Sequence, residues 1–272
     1  MTARAPVAIV VGMESLGEDL LLLSIRPDRG RIGNADKIDF GLMGSELVRL
    51  AALGRVEVAH ERIAVRDTTP TGDPELDAAL TSLTEARRPP KATAWVGKPR
   101  RGIRAAYVGR LTRAGVIQLE PARFLGIPTR PRLRLADGGR AADARARLDA
   151  IALSSGPVDV TQAAYGGLAH AIGLASRLYR GRDGRPARNR LAGVAKGGDA
   201  APDAATRAAN DAAVRAASDA VVQAANDAAV QAAAHAASAA AVHAAVHAAN
   251  HAASHAAAHA GGHAGGAGGH GH

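Results

Sequence analysis

Leucines mark two helices in the first part of the chain. The stretch "SLGEDLLLLSI" (residues 15–25) places three leucines on one helical face and two more beside it, so little of that surface is left polar. Ser15 followed by Glu18 has the spacing of a capping box at the start of this helix. Leucines recur at helical spacing in "GLMGSELVRLAALG" (residues 41–54), where the final glycine can end a helix. Two buried helices are therefore expected near the centre of a bundle.

Apolar and polar residues alternate directly after Gly54. The stretch "RVEVAHERIAVRD" (residues 55–67) forms two short alternating runs, which is the pattern of a two-stranded hairpin. The same order of helix, glycine and two strands recurs over residues 103–137, around Gly115. A further helix is expected from Asp137 onward, through Ala152. The chain thus contains two related helix-plus-hairpin units, which we expect to pack on one bundle.

The remaining pattern completes a mainly α fold. An Asp-Pro pair begins a helix over residues 74–86, and residues 158–179 are expected to form one long buried helix. Beyond about residue 204 the chain falls into tetrads of the form AAxx, which favour a single Ala/His-rich helix to about residue 259, or a disordered tail. We predict a helical bundle wrapped by amphipathic helices and short β-hairpins in residues 1–198, and a low-complexity Ala/His/Gly tail in residues 199–272.

Composition points to a polyanionic partner. The 34 Lys and Arg exceed the 25 Asp and Glu, giving a formal net charge of +9, which favours nucleic acid or an anionic lipid surface. With no Cys, disulfides and thiol chemistry are excluded. The apolar stretch "APVAIVVGM" (residues 5–13) is far shorter than the roughly 20 residues of a membrane-spanning helix. We expect a cytoplasmic chain that is soluble, or peripheral to the inner face of a membrane.

Catalytic residues are not evident in the sequence. His170 has no partner close in sequence and is interpreted as a core histidine. The glycines form no phosphate-binding loop and no dinucleotide fingerprint. We therefore expect neither an enzyme nor a cofactor.

The tail contains one metal-binding pattern. Histidines recur every four residues, a spacing that lets two imidazoles bind one divalent metal ion on a helix face in vitro. They are His243, His247, His251, His255 and His259. Low-complexity Ala/His sequence explains the same pattern without a biological metal.

Two basic segments, residues 98–147 and 177–196, form the main candidate binding surface. Aromatic residues do not interleave with them, which weakens any case for single-stranded nucleic acid. The candidate lipid contacts are Arg177, Leu178, Tyr179, Arg180 and Arg182. The alternative is a winged-helix-like DNA-binding protein, since the helix-plus-hairpin unit occurs twice in a basic chain.

The series of segments from residue 12 to residue 195 resembles the Golgi phosphoprotein 3 family, specifically its bacterial branch. The resemblance is carried by "SLGEDLLLLSI", "GLMGSELVRLAALGRVEV", "TGDPELDAALTSL", "RLTRAGVIQLEPARFLGIPTRPRLRLAD" and "GLAHA". It implies a four-helix core wrapped by amphipathic helices and hairpins. It also implies a non-enzymatic peripheral membrane adaptor, with phosphatidylinositol 4-phosphate as lipid and a protein client. The family's pocket Trp and its first Arg fall at Asn34 and Met43 of this chain.

Overall fold

The computed structural model describes residues 13–124, 127–196, 215–224, 226–227 and 230–231. The chain divides into two units, Met1–Ala225 and Asn226–His272. Everything that follows concerns the first unit. Its described part is a helical bundle with short antiparallel hairpins, as the sequence predicted, and the structure has three such hairpins where the sequence predicted two.

The elements follow one another in this order. The named helices are α1 (Leu16–Ser24), α2 (Ala35–Ala52), α3 (Pro74–Thr84), α4 (Ala92–Val96), α5 (Ile103–Arg113), α6 (Gly138–Leu153), α7 (Val160–Ala171), α8 (Leu174–Leu178) and α9 (Arg185–Ala195), and residues 215–224 are also helical. The strands are β1 (Ile25–Arg26), β2 (Arg31–Ile32), β3 (Val56–Ala59), β4 (Arg62–Val65), β5 (Ile117–Phe124) and β6 (Ile127–Leu135).

Helices α1 and α2 lie at the centre, as expected from their leucines. Leu20 and Leu21 of α1 are fully buried, and so are Leu42 and Leu47 of α2. The capping box predicted at Ser15 is wrong, because the Ser15 hydroxyl donates to the Asp19 carboxylate at 3.2 Å and caps no backbone amide.

Both predicted helix-plus-hairpin units are present. Hairpin β3–β4 follows α2, and hairpin β5–β6 follows α5. Each helix ends before a glycine with positive φ, 68° at Gly54 and 73° at Gly115, a conformation that glycine adopts without a steric penalty.

The structure differs from the sequence prediction in two elements. The stretch read as one helix over residues 158–179 is divided into α7 and α8, because Gly173 adopts a φ of 80° and ends α7. The structure also contains hairpin β1–β2 after α1, which the sequence pattern did not predict, and in it Ile25 pairs with Ile32 and Arg26 with Arg31. Two-residue strands are too short to produce an alternating pattern.

The helix over residues 215–224 packs against three glycines of the bundle. A Cβ at Gly44 would come within 3.1 Å of Val221, a Cβ at Gly97 within 3.7 Å of Ala224, and a Cβ at Gly167 within 2.8 Å of the Ser218 hydroxyl. The close approach of this helix therefore depends on the missing side chains at Gly44 and Gly167, whereas a Cβ at Gly97 would make an ordinary contact. The rest of the helix predicted over residues 204–259 lies outside the described residues, apart from two pairs, 226–227 and 230–231, which are also helical.

Within the described residues, no helix combines the length and the apolar character needed to cross a bilayer.

Candidate functional site

Two arginines, Arg26 of β1 and Arg177 of α8, lie close together at one edge of the bundle, next to the turn between α7 and α8. Arg177 of α8 donates from Nη1 to the carbonyl oxygen of Ser24 at 3.2 Å, and the same oxygen accepts the Gly33 amide at 2.9 Å. A Cβ on Gly33 would lie 2.7 Å from Nε of Arg26 and 3.5 Å from Nη1 of Arg177. The absence of a side chain at Gly33 thus leaves room for both guanidinium groups.

Arg180 completes the cluster. Its Nε donates to the carbonyl oxygen of Arg177 at 3.1 Å, and its side chain is exposed. We call Arg26, Gly33, Asn34, Arg177 and Arg180 together the basic notch.

The arginines of the basic notch form no ion pair with any acid whose side chain the structure describes. In the part of the chain that the structure describes, no carboxylate lies within 4.0 Å of a side-chain nitrogen of Arg26, Arg177 or Arg180. Burial lowers the pKa of Arg177, and the nearby charges of Arg26 and Arg180 lower it further. The Nε of Arg177 is buried and has no hydrogen-bond partner. A group of like charges with a spare donor is stabilised by an anion.

Asn34 adds polar groups beside these arginines. It precedes α2 in a left-handed conformation (φ 51°), and its side chain does not cap the helix. Its Nδ2 would lie 3.9 Å from a Cβ on Gly173, so it borders the α7–α8 turn. The N-terminus of an 18-residue helix, with no side-chain cap, also favours negative charge.

Hairpin β5–β6 extends the basic surface. The Leu133 amide donates to the Gly30 carbonyl at 2.7 Å, which joins β6 to the turn of hairpin β1–β2. The side chain of Arg132 packs over Gly30, where a Cβ would come within 2.8 Å of it, and Arg132 is exposed. Arg132 of β6 thus packs against the turn of hairpin β1–β2, the hairpin that carries Arg26.

The five predicted lipid contacts occupy different environments. Arg180 and Arg182 are exposed, whereas Arg177 and Leu178 are half-buried. Tyr179 is buried at 7% exposure. The structure thus brings Arg177 and Arg180 together in the notch, while the ring of Tyr179 lies in the core.

Sequence reasoning missed Arg26 as a site residue. Counting charge along the chain finds the arginines near residue 180, but it cannot show that a residue about 150 positions earlier lies beside them. The available signal was the arginine-rich composition of "RPDRGRIGN" (residues 26–34).

A separate pocket of about 420 Å³ lies between α1, α2, α3 and α5, and both of its arginines are paired with acids. Asp73 accepts hydrogen bonds from Arg49 at 2.8 Å and from Arg110 at 3.0 Å, and Arg110 also pairs with Glu18 at 2.7 Å. Burial alone would raise the pKa of Asp73, but these two arginines lower it overall. Because its arginines already have acidic partners, this pocket is a weaker anion site than the basic notch.

The structure does not place the tail histidines, since His243, His247, His251, His255 and His259 lie outside the described residues. Among the residues that are described, no group of three or more His, Asp or Glu side chains is arranged to hold a metal ion. His170 is half-buried, and burial lowers its pKa.

A helical bundle that carries two helix-plus-hairpin units defines a class of mainly helical proteins. Comparison with known families makes the assignment specific. The family model of Golgi phosphoprotein 3 (GPP34) matches residues 16–213, and the chain belongs to this family. The resemblance inferred from residues 12–195 is therefore confirmed. Among curated proteins, no match was found.

Proposed function

We propose that this protein is a non-enzymatic peripheral membrane adaptor that binds anionic lipid headgroups of the phosphoinositide type through the basic notch. The observation that supports this most directly is Arg177, a half-buried arginine with a spare donor and two positively charged neighbours. A headgroup phosphate would supply the negative charge that these three arginines lack.

A membrane surface suits the surroundings of the notch. Arg180, Arg182 and Arg132 are exposed around it, and each basic residue near an anionic leaflet contributes about 1 kcal/mol. One phosphate in the notch and several weaker contacts around it together favour a lipid surface at the inner face of the membrane. A protein client would then be held at that surface.

The DNA-binding alternative finds less support. It requires α2 to enter a groove, yet Leu42, Leu47 and Leu50 are fully buried and Arg49 is bonded to Asp73. On α5, Arg104 is bonded to Asp39 at 2.8 and 2.6 Å. Neither helix before a hairpin therefore presents a free basic face of the kind that DNA recognition uses.

Vesicle co-sedimentation tests the proposal. Vesicles of phosphatidylcholine alone are compared with vesicles that also contain phosphatidylinositol 4-phosphate or phosphatidylserine. We expect binding only to the anionic vesicles. We expect the Arg26→Glu/Arg180→Glu variant to bind at least about 30-fold more weakly, because two favourable contacts of about 1 kcal/mol each are lost and the new carboxylates are repelled by the anionic surface.

Arg87→Glu provides the matched control, because Arg87 is exposed, has no ion pair in the described structure and lies outside the notch. A single reversal there should change binding far less than a single reversal at Arg180. Equal effects at the two positions, or equal binding to neutral vesicles, would contradict the proposal. Stronger binding to phosphatidylinositol 4-phosphate than to phosphatidylserine at equal charge would support a phosphoinositide ligand.

A further inference from the structure

A buried acid, Glu46, lies in the middle of α2 and plays no part in the basic notch. It is fully buried at 0% exposure. Its Oε1 accepts from Nη2 of Arg100 at 2.5 Å, whereas its Oε2 has no hydrogen-bond partner. Half of a buried carboxylate is thus unsatisfied, and this is costly when the group is charged.

Arg100 interacts with a second acidic residue besides Glu46. It lies in the segment between α4 and α5, and it also contacts Glu75 of α3, at 3.2 Å to the carbonyl oxygen and 3.6 Å to the carboxylate. Two carboxylates therefore share one guanidinium. Such an arrangement favours the uptake of one proton.

The other groups around Glu46 do not supply the missing charge. Arg49, one turn further along α2, is bonded to Asp73 at 2.8 Å. Ser45 donates its hydroxyl to the Leu42 carbonyl at 2.8 Å. From α5, the Tyr107 hydroxyl is buried without a hydrogen-bond partner, and the Tyr107 pKa is raised by burial and by the charge of Glu46.

The balance of these effects raises the pKa of Glu46. Burial is the largest cause, the attraction of Arg100 opposes it, and the charge of Glu75 adds to it, so that the pKa rises to about 7 from an ordinary 4.5. Glu46 therefore changes its protonation state close to neutral pH.

We propose that Glu46 is a proton-dependent latch at the junction of α2, α3 and the α4–α5 segment, closed when Glu46 is protonated and opening more readily once Glu46 loses its proton. A neutral carboxylic acid tolerates this dry site, and it gains an O–H donor. An ionised one is better solvated by water, which reaches it only when the Arg100 segment moves away.

The direction of the pH effect follows from linkage. The closed junction holds the Glu46 proton more tightly than an open, hydrated junction does. Protonation therefore stabilises the closed junction fully below about pH 4.5, and this stabilisation is lost as pH rises through about 7. The two pKa values differ by about 2.5 units, which allows the equilibrium for opening to rise by up to about 300-fold.

Hydrogen exchange measured by mass spectrometry tests the latch on the full chain. After correction for the intrinsic pH dependence of exchange, amides in residues 97–103 and 46–54 should exchange faster at about pH 8.5 than at about pH 5.5. Glu46→Gln keeps the size and removes the titration, so it should make protection independent of pH. Glu57→Gln, at an exposed ion pair with Arg66 on hairpin β3–β4, is the matched control and should behave as the wild type.

Equal protection at both pH values, or an unchanged pH dependence in Glu46→Gln, would overturn the proposal. A second measurement does not rely on the variant folding. The side-chain carboxyl carbon of Glu46, followed by NMR in the wild-type chain, should titrate with a pKa near 7. A titration at the ordinary value of 4.5 would contradict the latch as directly as a flat exchange profile.

Discussion

At the scale of single residues, Tyr179 connects the notch to the core. Its hydroxyl donates to the Asp149 carboxylate at 2.6 Å, and Arg145 lies 4.8 Å from the centre of its ring. Burial, and the hydrogen bond to Asp149, raise the Tyr179 pKa, so the hydroxyl remains a donor at any working pH. Tyr179 thus attaches the chain after α8 to α6. This attachment restrains the backbone that carries Arg177 and Arg180.

We predict that Tyr179→Phe lowers the free energy of unfolding by about 1.5–3 kcal/mol, the usual contribution of a hydrogen bond to a charged group. The ring and its packing are kept, so binding to anionic vesicles should change less than twofold. Urea unfolding and co-sedimentation measure the two effects. Lost vesicle binding at unchanged stability would mean that the Tyr179 hydroxyl itself contacts the lipid.

At the scale of elements, the turn of hairpin β3–β4 carries backbone strain. His60 and Glu61 have φ values of 49° and 63°, a left-handed conformation that residues with a side chain adopt at a cost. Contacts with the segment before α4 hold the turn. The Glu61 carbonyl accepts the Ala92 amide at 2.8 Å, and the Ile63 amide donates to the Pro90 carbonyl at 2.9 Å.

Glu61→Gly should therefore stabilise the protein by about 1 kcal/mol, because glycine removes the steric cost of the left-handed conformation. The side chain that is lost makes only an exposed ion pair with Lys91 at 3.5 Å, and such pairs contribute little. Thermal unfolding followed by circular dichroism measures the change. Glu57→Gly, in the extended strand β3, is the opposite control and should destabilise. A lower melting temperature for Glu61→Gly would show that the side chain contributes more than the strain costs.

The sequence predicted elements that depend on local patterns and missed features that depend on contacts. The leucine stripes located α1 and α2, and Asp73 with Pro74 located the start of α3, where the Asp73 carboxylate accepts the Glu75 amide at 3.0 Å. The break at Gly173 was missed because Gly166 and Gly167 stand inside α7 without ending it. A glycine permits a left-handed turn, but only the surrounding packing decides whether the turn forms.

The candidate site was predictable only in part for the same reason. Local charge density found Arg177 and Arg180. The position of Arg26 depends on hairpin β1–β2, whose register is fixed by two residue pairs rather than by a sequence pattern.

At the scale of the whole molecule, the distribution of paired charges matters more than the net charge of +9. Several arginines are neutralised by nearby acids and contribute little to the field at a distance, among them Arg49, Arg100, Arg104, Arg110 and Arg147. Among the side chains that the structure describes, the notch arginines have no such acidic partner. Part of the excess charge therefore lies at the proposed lipid surface.

Vesicle binding should accordingly weaken with salt, because screening shortens the range of exposed charges from about 14 Å at 50 mM to about 6 Å at 300 mM. We expect the wild type and Arg87→Glu to lose affinity steeply over this range, and Arg26→Glu/Arg180→Glu to show a shallower slope. Co-sedimentation across a salt series measures both slopes. Salt-independent binding of the wild type would indicate that apolar insertion, not charge, holds the protein on the membrane.

The packing of residues 215–224 against three glycines has a consequence for the order of folding. The three glycines, Gly44, Gly97 and Gly167, come from α2, from the end of α4 and from α7, which are far apart in the sequence. The surface that receives this helix forms only after these three segments have packed together. During synthesis the helix over residues 215–224 also leaves the ribosome after all of them. Its docking is therefore a late step, and protection of Val221 and Ala224 from solvent reports that the rest of the bundle has already assembled.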